Sequence, residues 1–250
     1  MEIIPQLNHF KPIDLAQMNR VKLLRRSDTK YLISKTELLD FLVDLATDYF
    51  VLEIKGKRIA SYHTKYLDTH IKSFYHEHHQ GKLKRHKVRF RTYLDSELSF
   101  LEVKLKYKAK TNKKRMITEP SDSLDEDQKK FLRRWIPQNP MDLFTSLENS
   151  FQRITLVHKT VEERVTIDLN LLFVSGEKKV KFKDQVIIEI KQSHVNRDTL
   201  MSRLLRSQGT RKLRVSKYCI GCILVDPSLK YNRFKSRLLK INEINPIWNF

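Results

Sequence analysis

The chain of 250 residues carries 49 Lys and Arg against 29 Asp and Glu, a formal charge of +20, with 40% hydrophobic residues, 5 Gly and 7 Pro. That is enough apolar material for a packed core and too little Gly and Pro for a low-complexity or disordered chain. The positive excess selects an anionic partner, which can be nucleic acid, nucleotide, polyphosphate or a membrane surface, and two cysteines, Cys219 and Cys222 in "KYCIGCIL", exclude a disulfide scaffold.

The N-terminal "MEIIPQLNHFKPIDL" shows no basic segment ahead of an apolar run, so no secretory signal is expected. No stretch approaches the roughly 18 apolar residues of a membrane span. The expectation is one cytoplasmic domain over residues 1–250. The lone C-x-x-C lacks a second Cys/His pair and reads as two small buried hydrophobes.

In chain order, "SDTKYLIS" (27–34) predicts a strand, and leucines at helical spacing predict a helix over 35–46. A strand follows at 58–69, then a short helix ending near Gly81, whose "YHEHHQG" reads as a solvated helix end rather than a zinc site. "KRHKVRFRTY" and "SFLEVKLKYK" predict two strands joined by the turn-like "DSELS". A basic turn at 108–114 leads to a strand over 113–120, and "SDSLDEDQKKFLRRWI" predicts a helix over 121–136. After the break at 137–140, strands are predicted at 150–159, 163–171 and 185–191. A helix at 196–207 precedes "RKLRVSKY" (211–218), and an amphipathic helix covers 228–243. Strands joined mostly by short turns favour antiparallel pairing and an α+β architecture.

Parity then sorts the strand residues. Arg85, Lys87, Arg89 and Arg91 alternate with Val88 and Phe90, while Glu102, Lys104 and Lys106 alternate with Leu101, Val103 and Leu105. Arg164, Thr166 and Asp168 oppose Val165, Ile167 and Leu169; Gln185, Glu189 and Lys191 oppose Val186, Ile188 and Ile190; Arg153 and Thr155 share a face. Five strands thus show one apolar and one charged face. An ordinary sheet with a solvated face would give such a split. Here, however, Arg side chains crowd positions where like charges repel unless an anion neutralises them. The guanidinium fork also suits phosphate.

"DTKYLI", "YLDT", "GKLKRHKVRFRTY", "FLEVKLK", "RVTIDLNL", "IIEIK" and "RVSKY", in that order, resemble the catalytic domain of the vacuolar transporter chaperone (VTC) family of polyphosphate polymerases, within the triphosphate tunnel metalloenzymes. The resemblance covers about residues 20–240. It implies an eight-stranded antiparallel β-tunnel, a closed barrel with a charged lumen and helices packed outside. By motif position it implies that Lys30, Arg89, Arg91, Lys104, Arg115, Arg153, Arg164 and Lys217 bind phosphate, with Lys106, Lys191 and Arg214 as further substrate-binding candidates. Of these, Arg89, Arg91, Lys104, Arg164 and Lys217 are the expected catalytic residues. Where the family has Tyr two residues before a lumen Arg, this chain has Phe151.

Phosphoryl transfer needs positioning and charge neutralisation more than covalent help. A divalent cation, Mn2+ or Mg2+, is expected on Glu189 and Glu102, with Asp168 assisting; Glu102 and Asp168 alternatively pair with a neighbouring Arg. The expected substrates are ATP and polyphosphate. Polymerase and triphosphatase chemistry use the same residues and stay open. A non-catalytic nucleic-acid or polyanion-binding module is a further alternative, although no specific nucleic acid is expected. The reading allows association with a membrane partner and a peripheral location at the inner membrane face.

Overall fold

The computed structural model describes residues 2–20, 27–108 and 110–247. In chain order the elements are α1 (Ile3–Leu7), β1 (Lys11–Ile13), α2 (Leu15–Arg20), β2 (Ser27–Ser34), α3 (Lys35–Leu42), β3 (Tyr49–Leu52), β4 (Ala60–Asp68), α4 (Ser73–His79), β5 (Lys84–Tyr93), β6 (Leu98–Tyr107), β7 (Lys110–Ile117) and α5 (Glu126–Arg133). They continue with β8 (Phe144–His158), β9 (Glu163–Ser175), β10 (Lys178–Lys181), β11 (Gln185–Gln192), α6 (Leu200–Ser207), α7 (Lys217–Val225) and α8 (Lys235–Ile244).

Eight strands form one antiparallel path, β2-β11-β9-β8-β4-β5-β6-β7. The short β1, β3 and β10 attach at its margins. The path is curled. β2 and β6 lie six steps apart, which in a flat sheet at ~4.8 Å per step would be roughly 29 Å. Even so, Lys30 on β2 feels the charge of Lys104 on β6, and Lys106 on β6 feels Asp28 on β2. The expected closed barrel is realised as a half-barrel: among the described residues β2 and β7 end the ladder without pairing to each other. Part of that seam is covered by the segment 210–216. Leu213 N donates to the Lys30 carbonyl at 2.8 Å along the free edge of β2, and Lys87 Nζ donates to Ser216 Oγ at 2.8 Å.

Period-two alternation puts the charged parity on the concave side and the apolar parity outside. Ile33, Ile154, Ile167, Val186 and Ile188 pack outward with Leu38, Phe41 and Leu42 of α3 and Met201 and Leu205 of α6. α3 starts where the Ser34 side chain caps Glu37 N and Glu37 returns the bond to Ser34 N. α7 is buried along Tyr218–Val225. Gly221 permits this approach, because a Cβ there would lie 2.5 Å from Phe173 and 2.6 Å from Leu147. Cys219 and Cys222 are free and buried, as small hydrophobes.

Several boundaries differ from expectation. The helix expected over 35–46 stops at Leu42 and tightens into a 3-10 turn at Asp44–Thr47. That expected over 121–136 spans only Glu126–Arg133, starting where Asp125 caps Gln128. The strand expected over 113–120 begins at Lys110, so the basic turn is shorter than 108–114, and residue 109 within it lies outside the described residues. β8 begins six residues before the predicted strand at 150. The solvated histidine cluster is corrected too. His79 is buried, with Nε2 2.7 Å from Asn232 Oδ1, and His78 Nε2 donates to the His86 carbonyl at 3.2 Å. Burial, with Lys87 and Arg85 nearby, pushes the His78 pKa down to about 2. These rings are packing groups that tie α4 to β5 and to the chain ahead of α8.

Candidate functional site

In an antiparallel pair, residues directly opposite share a face. The register therefore lines up the concave side row by row. Lys30 faces Glu189, which faces Thr166 and then Thr155; Arg153 faces Asp168; Arg164 faces Lys191. On the other flank Arg89 faces Glu102, which faces Arg115, while Lys87 faces Lys104 and then Lys113. Lys217 enters from the first turn of α7, beneath its Ser216 cap. The structure thus gathers Lys30, Arg89, Arg91, Lys104, Arg153, Arg164, Lys191 and Lys217 around one lumen with Glu102, Asp168 and Glu189. Arg115 is exposed on β7 near the seam, its guanidinium 4.6 Å from the Phe100 ring centroid. Lys106 is half-buried, and Arg214 is exposed in the covering segment, close enough to Lys106 to lower its pKa. These three mark the rim rather than the centre.

Each lumen carboxylate lies between two cations. Glu102 Oε2 accepts from Arg89 Nε at 2.8 Å and lies 2.7 Å from Arg89 Nη2, and Glu102 Oε1 meets Lys113. The Arg153 fork grips Asp168 at 2.6 and 2.9 Å, and Lys217 takes the same carboxylate. Glu189 meets Lys30 through Oε1 and Lys191 Nζ, at 2.7 Å, through Oε2. Burial opposes ionisation of Glu102, but Arg89, Arg91 and Lys113 outweigh it and hold the carboxyl at about 2. Asp168 follows the same logic: Arg153 and Lys217 hold it well below the usual carboxylate range. Cations outnumber carboxylates two to one within these clusters, before Arg91, Arg164 and Lys104 are added.

Arg91 differs from its neighbours. It is buried, and its Nε has no hydrogen-bond partner among the described residues. Burial and the adjacent Arg89 push its pKa down to about 10. Tyr62 and Phe151 stack at 5.0 Å with rings 4° apart and form an aromatic floor. Arg91 lies 5.9 Å from the Tyr62 centroid, Arg153 lies 5.2 Å from both rings, and Lys217 lies 4.3 Å from Phe151. Phe151 thus supports cations by its ring face, with no hydroxyl to compete for phosphate.

Parity places Lys87, a half-buried member of the charged run, on the lumen face, but it carried no assigned role. Lys113 opens the strand expected over 113–120 and also falls in the basic turn expected at 108–114, and no role was assigned to it. The available signal was its offset of two from Arg115.

Among the described residues no group of three or more His, Cys, Asp or Glu forms a metal cage. A hard divalent cation would need one or two carboxylates completed by phosphate oxygens and water. Glu189 fits that role: its Oε1 partner Lys30 is pushed down to about 6, by burial first and then by Lys191, so this carboxylate faces a weakly held proton. Glu102 fits less well, since a permanent guanidinium and an ammonium fill both of its oxygens. Pairing is the role its geometry supports, and Asp168 shares it.

Burial lowers Lys217 to about 8, with Asp168 opposing. Its folded value lies below the ordinary 10.5, so its share of stability is present at high pH and lost as pH falls through 8. An entering anion reverses the preference and draws a proton onto the amine. Triphosphate binding above pH 8 is therefore expected to take up protons and weaken with rising pH. Calorimetry in buffers of different ionisation enthalpy checks this, and a pH-independent affinity between 7 and 9.5 would contradict it.

A curled antiparallel sheet with a cation-lined concave face defines a protein of the triphosphate tunnel fold. A candidate adenylate cyclase from Bacillus halodurans superposes with a TM-score of 0.51 at 12% identity, over 83% of this chain and 95% of that one. A candidate adenylyl cyclase from Hippeastrum, described as having a dominant triphosphatase activity, superposes at 0.50 and 12% identity, over 79% and 95%. Likeness at that identity establishes the fold alone. The VTC domain model matches residues 25–225, and the chain belongs to the VTC domain family. A comparison with curated proteins finds no match.

Proposed function

We propose that the protein is a metal-dependent polyphosphate polymerase that transfers the γ-phosphoryl group of ATP to the end of a polyphosphate chain held in the lumen. The observation that carries this reading is the surplus of buried cations over carboxylates in one concave site, Arg91 above all, in a chain of the VTC family. Arg91, Arg89, Arg153 and Lys217 bind non-bridging oxygens of the triphosphate. Lys104, Arg164, Lys30 and Lys191 continue the contacts toward the rim and hold the acceptor chain. A terminal oxygen of that chain attacks the γ-phosphorus; the bond from the γ-phosphorus to the β–γ bridging oxygen breaks; ADP leaves and the chain is one phosphate longer. Glu102 and Asp168 keep Arg89, Arg153 and Lys217 oriented, so little rearrangement accompanies charge development. Mn2+ or Mg2+, held by Glu189 and phosphate oxygens, would neutralise charge on the transferring group.

A triphosphatase is the second reading, favoured by the activity described for the Hippeastrum protein of the same fold. Water then replaces the chain end and inorganic phosphate leaves. A nucleic-acid groove is disfavoured, because the stacked aromatic pair of the lumen, Tyr62 and Phe151, is buried beneath the cations rather than presented for base stacking. No described helix is long and apolar enough to cross a membrane. A cytoplasmic site, peripheral at the inner membrane face beside a membrane partner, is part of this proposal.

Incubating the purified protein with ATP and either metal separates the two readings. ADP with a polymer that yields only orthophosphate on acid hydrolysis supports polymerase, and ADP with free phosphate formed directly supports hydrolase. Glu189→Gln is expected to weaken stimulation by the metal while leaving metal-free triphosphate binding measurable. Undiminished stimulation would remove Glu189 as a ligand.

A further inference from the structure

We propose that the convex face carries a second, smaller anion site, for a pyrophosphate-sized ligand, in the cavity between β2, β11 and α6. The cavity has a volume of about 270 Å³. It is separate from the lumen by parity. Lys30, Glu189 and Lys191 point to the concave side, whereas Thr29, Tyr31 and Ile190, one residue away on the same strands, line the cavity. Arg197, Arg206, Arg211 and Lys212 complete its rim, and no Asp or Glu lines it.

Four cations around one acid-free hollow repel one another, and a bound anion turns that repulsion into attraction. Three of the four have no carboxylate partner among the described residues. Among the described residues Arg206 reaches one carboxylate, Asp198, at 3.8 Å, with an exposed side chain on each partner, and Arg197, Arg211 and Lys212 make no ion pair. Hydroxyl groups of Thr29 and Thr210 and the buried Tyr31 add neutral donors to the wall, while the Ser202 hydroxyl donates to the Asn196 carbonyl. Burial raises the pKa of Tyr31, so its hydroxyl stays protonated and able to donate. Size narrows the ligand. The volume equals roughly nine waters at ~30 Å³ each and falls just below the ~300 Å³ at which drug-sized pockets begin. Two phosphate groups fit within it. Arg guanidinium forks pair with phosphate oxygens in bidentate fashion.

The site is tested by titrating the full chain with inorganic pyrophosphate in the presence of a chelator, using calorimetry. Wild-type protein is expected to bind two pyrophosphates, one in the lumen and one outside. Arg197→Ser with Arg206→Ser is expected to remove the outer event, or weaken it at least tenfold, and to leave ATP turnover unchanged. Arg91→Met is expected to weaken the lumen event and leave the outer one. Equal stoichiometry and affinities in wild type and the Arg197/Arg206 double variant would overturn the proposal. Because the comparison is between two proteins with the same lumen, the result is independent of which reaction the lumen performs.

Discussion

Arg91→Met is expected to raise the melting temperature of the ligand-free protein while lowering its rate of ATP turnover by about 10²–10³. The two effects have opposite signs because Arg91 is buried without a carboxylate of its own. Its nearest acid, Glu102, is already held by Arg89 and Lys113, and Arg89 and Arg153 add like charge beside it. Replacing a whole buried ion pair by apolar groups is often neutral or stabilising by about 1–4 kcal/mol, and removing Arg91 alone approaches that case because Glu102 keeps Arg89 and Lys113. In a chain of this size each kcal/mol moves the melting point by roughly 2–4 °C. The contact of Arg91 with the Tyr62 ring, worth about 0.5–2 kcal/mol, reduces that gain. Function suffers because Arg91 is a lumen guanidinium with an uncommitted donor. Thermal unfolding without ligand and ADP release with ATP check both halves. A drop in melting temperature matching the loss of rate would make Arg91 a structural residue and remove the central argument for a phosphate-binding lumen.

The charged face was legible wherever a strand kept strict alternation. β5, β6, β9 and β11 do so, and their lumen residues follow from parity alone. Parity fails once a residue leaves the ladder, as Arg214 does in the covering segment, which contributes one ladder-like bond, from Leu213. α7 was illegible because a helix apolar all round has no periodicity to read. The pairing of Asp168 with Arg153 was open in the sequence, since their register is set across a bulge between Ser150 and Gln152. The open seam was also hidden. Closure depends on β2 meeting β7, and nothing in either strand's residues encodes whether the curl carries them together.

Asp168→Ala should cost about 3–5 kcal/mol of stability, since it removes one partner from a buried ion cluster and strands the others. The carboxylate is 3% exposed, and both Arg153 and Lys217 depend on it. Without it Lys217 loses the attraction that opposes its burial and is expected to become neutral near pH 7, whereas Arg153 cannot shed its proton and carries the penalty. The melting point is expected to fall by on the order of 10 °C or more. Triphosphate should then stabilise the variant more than it stabilises the wild type, because an anion in the lumen takes over the compensation that Asp168 supplied. Saturation at about 100 Kd adds roughly 2.7 kcal/mol to any binding-competent fold, and the variant's excess over wild type measures the coupling between Asp168 and the ligand. Paired melts with and without triphosphate give that excess. A smaller shift in the variant would mean that Arg153 and Lys217 do not face the bound phosphates, and the lumen would then serve the fold rather than the reaction.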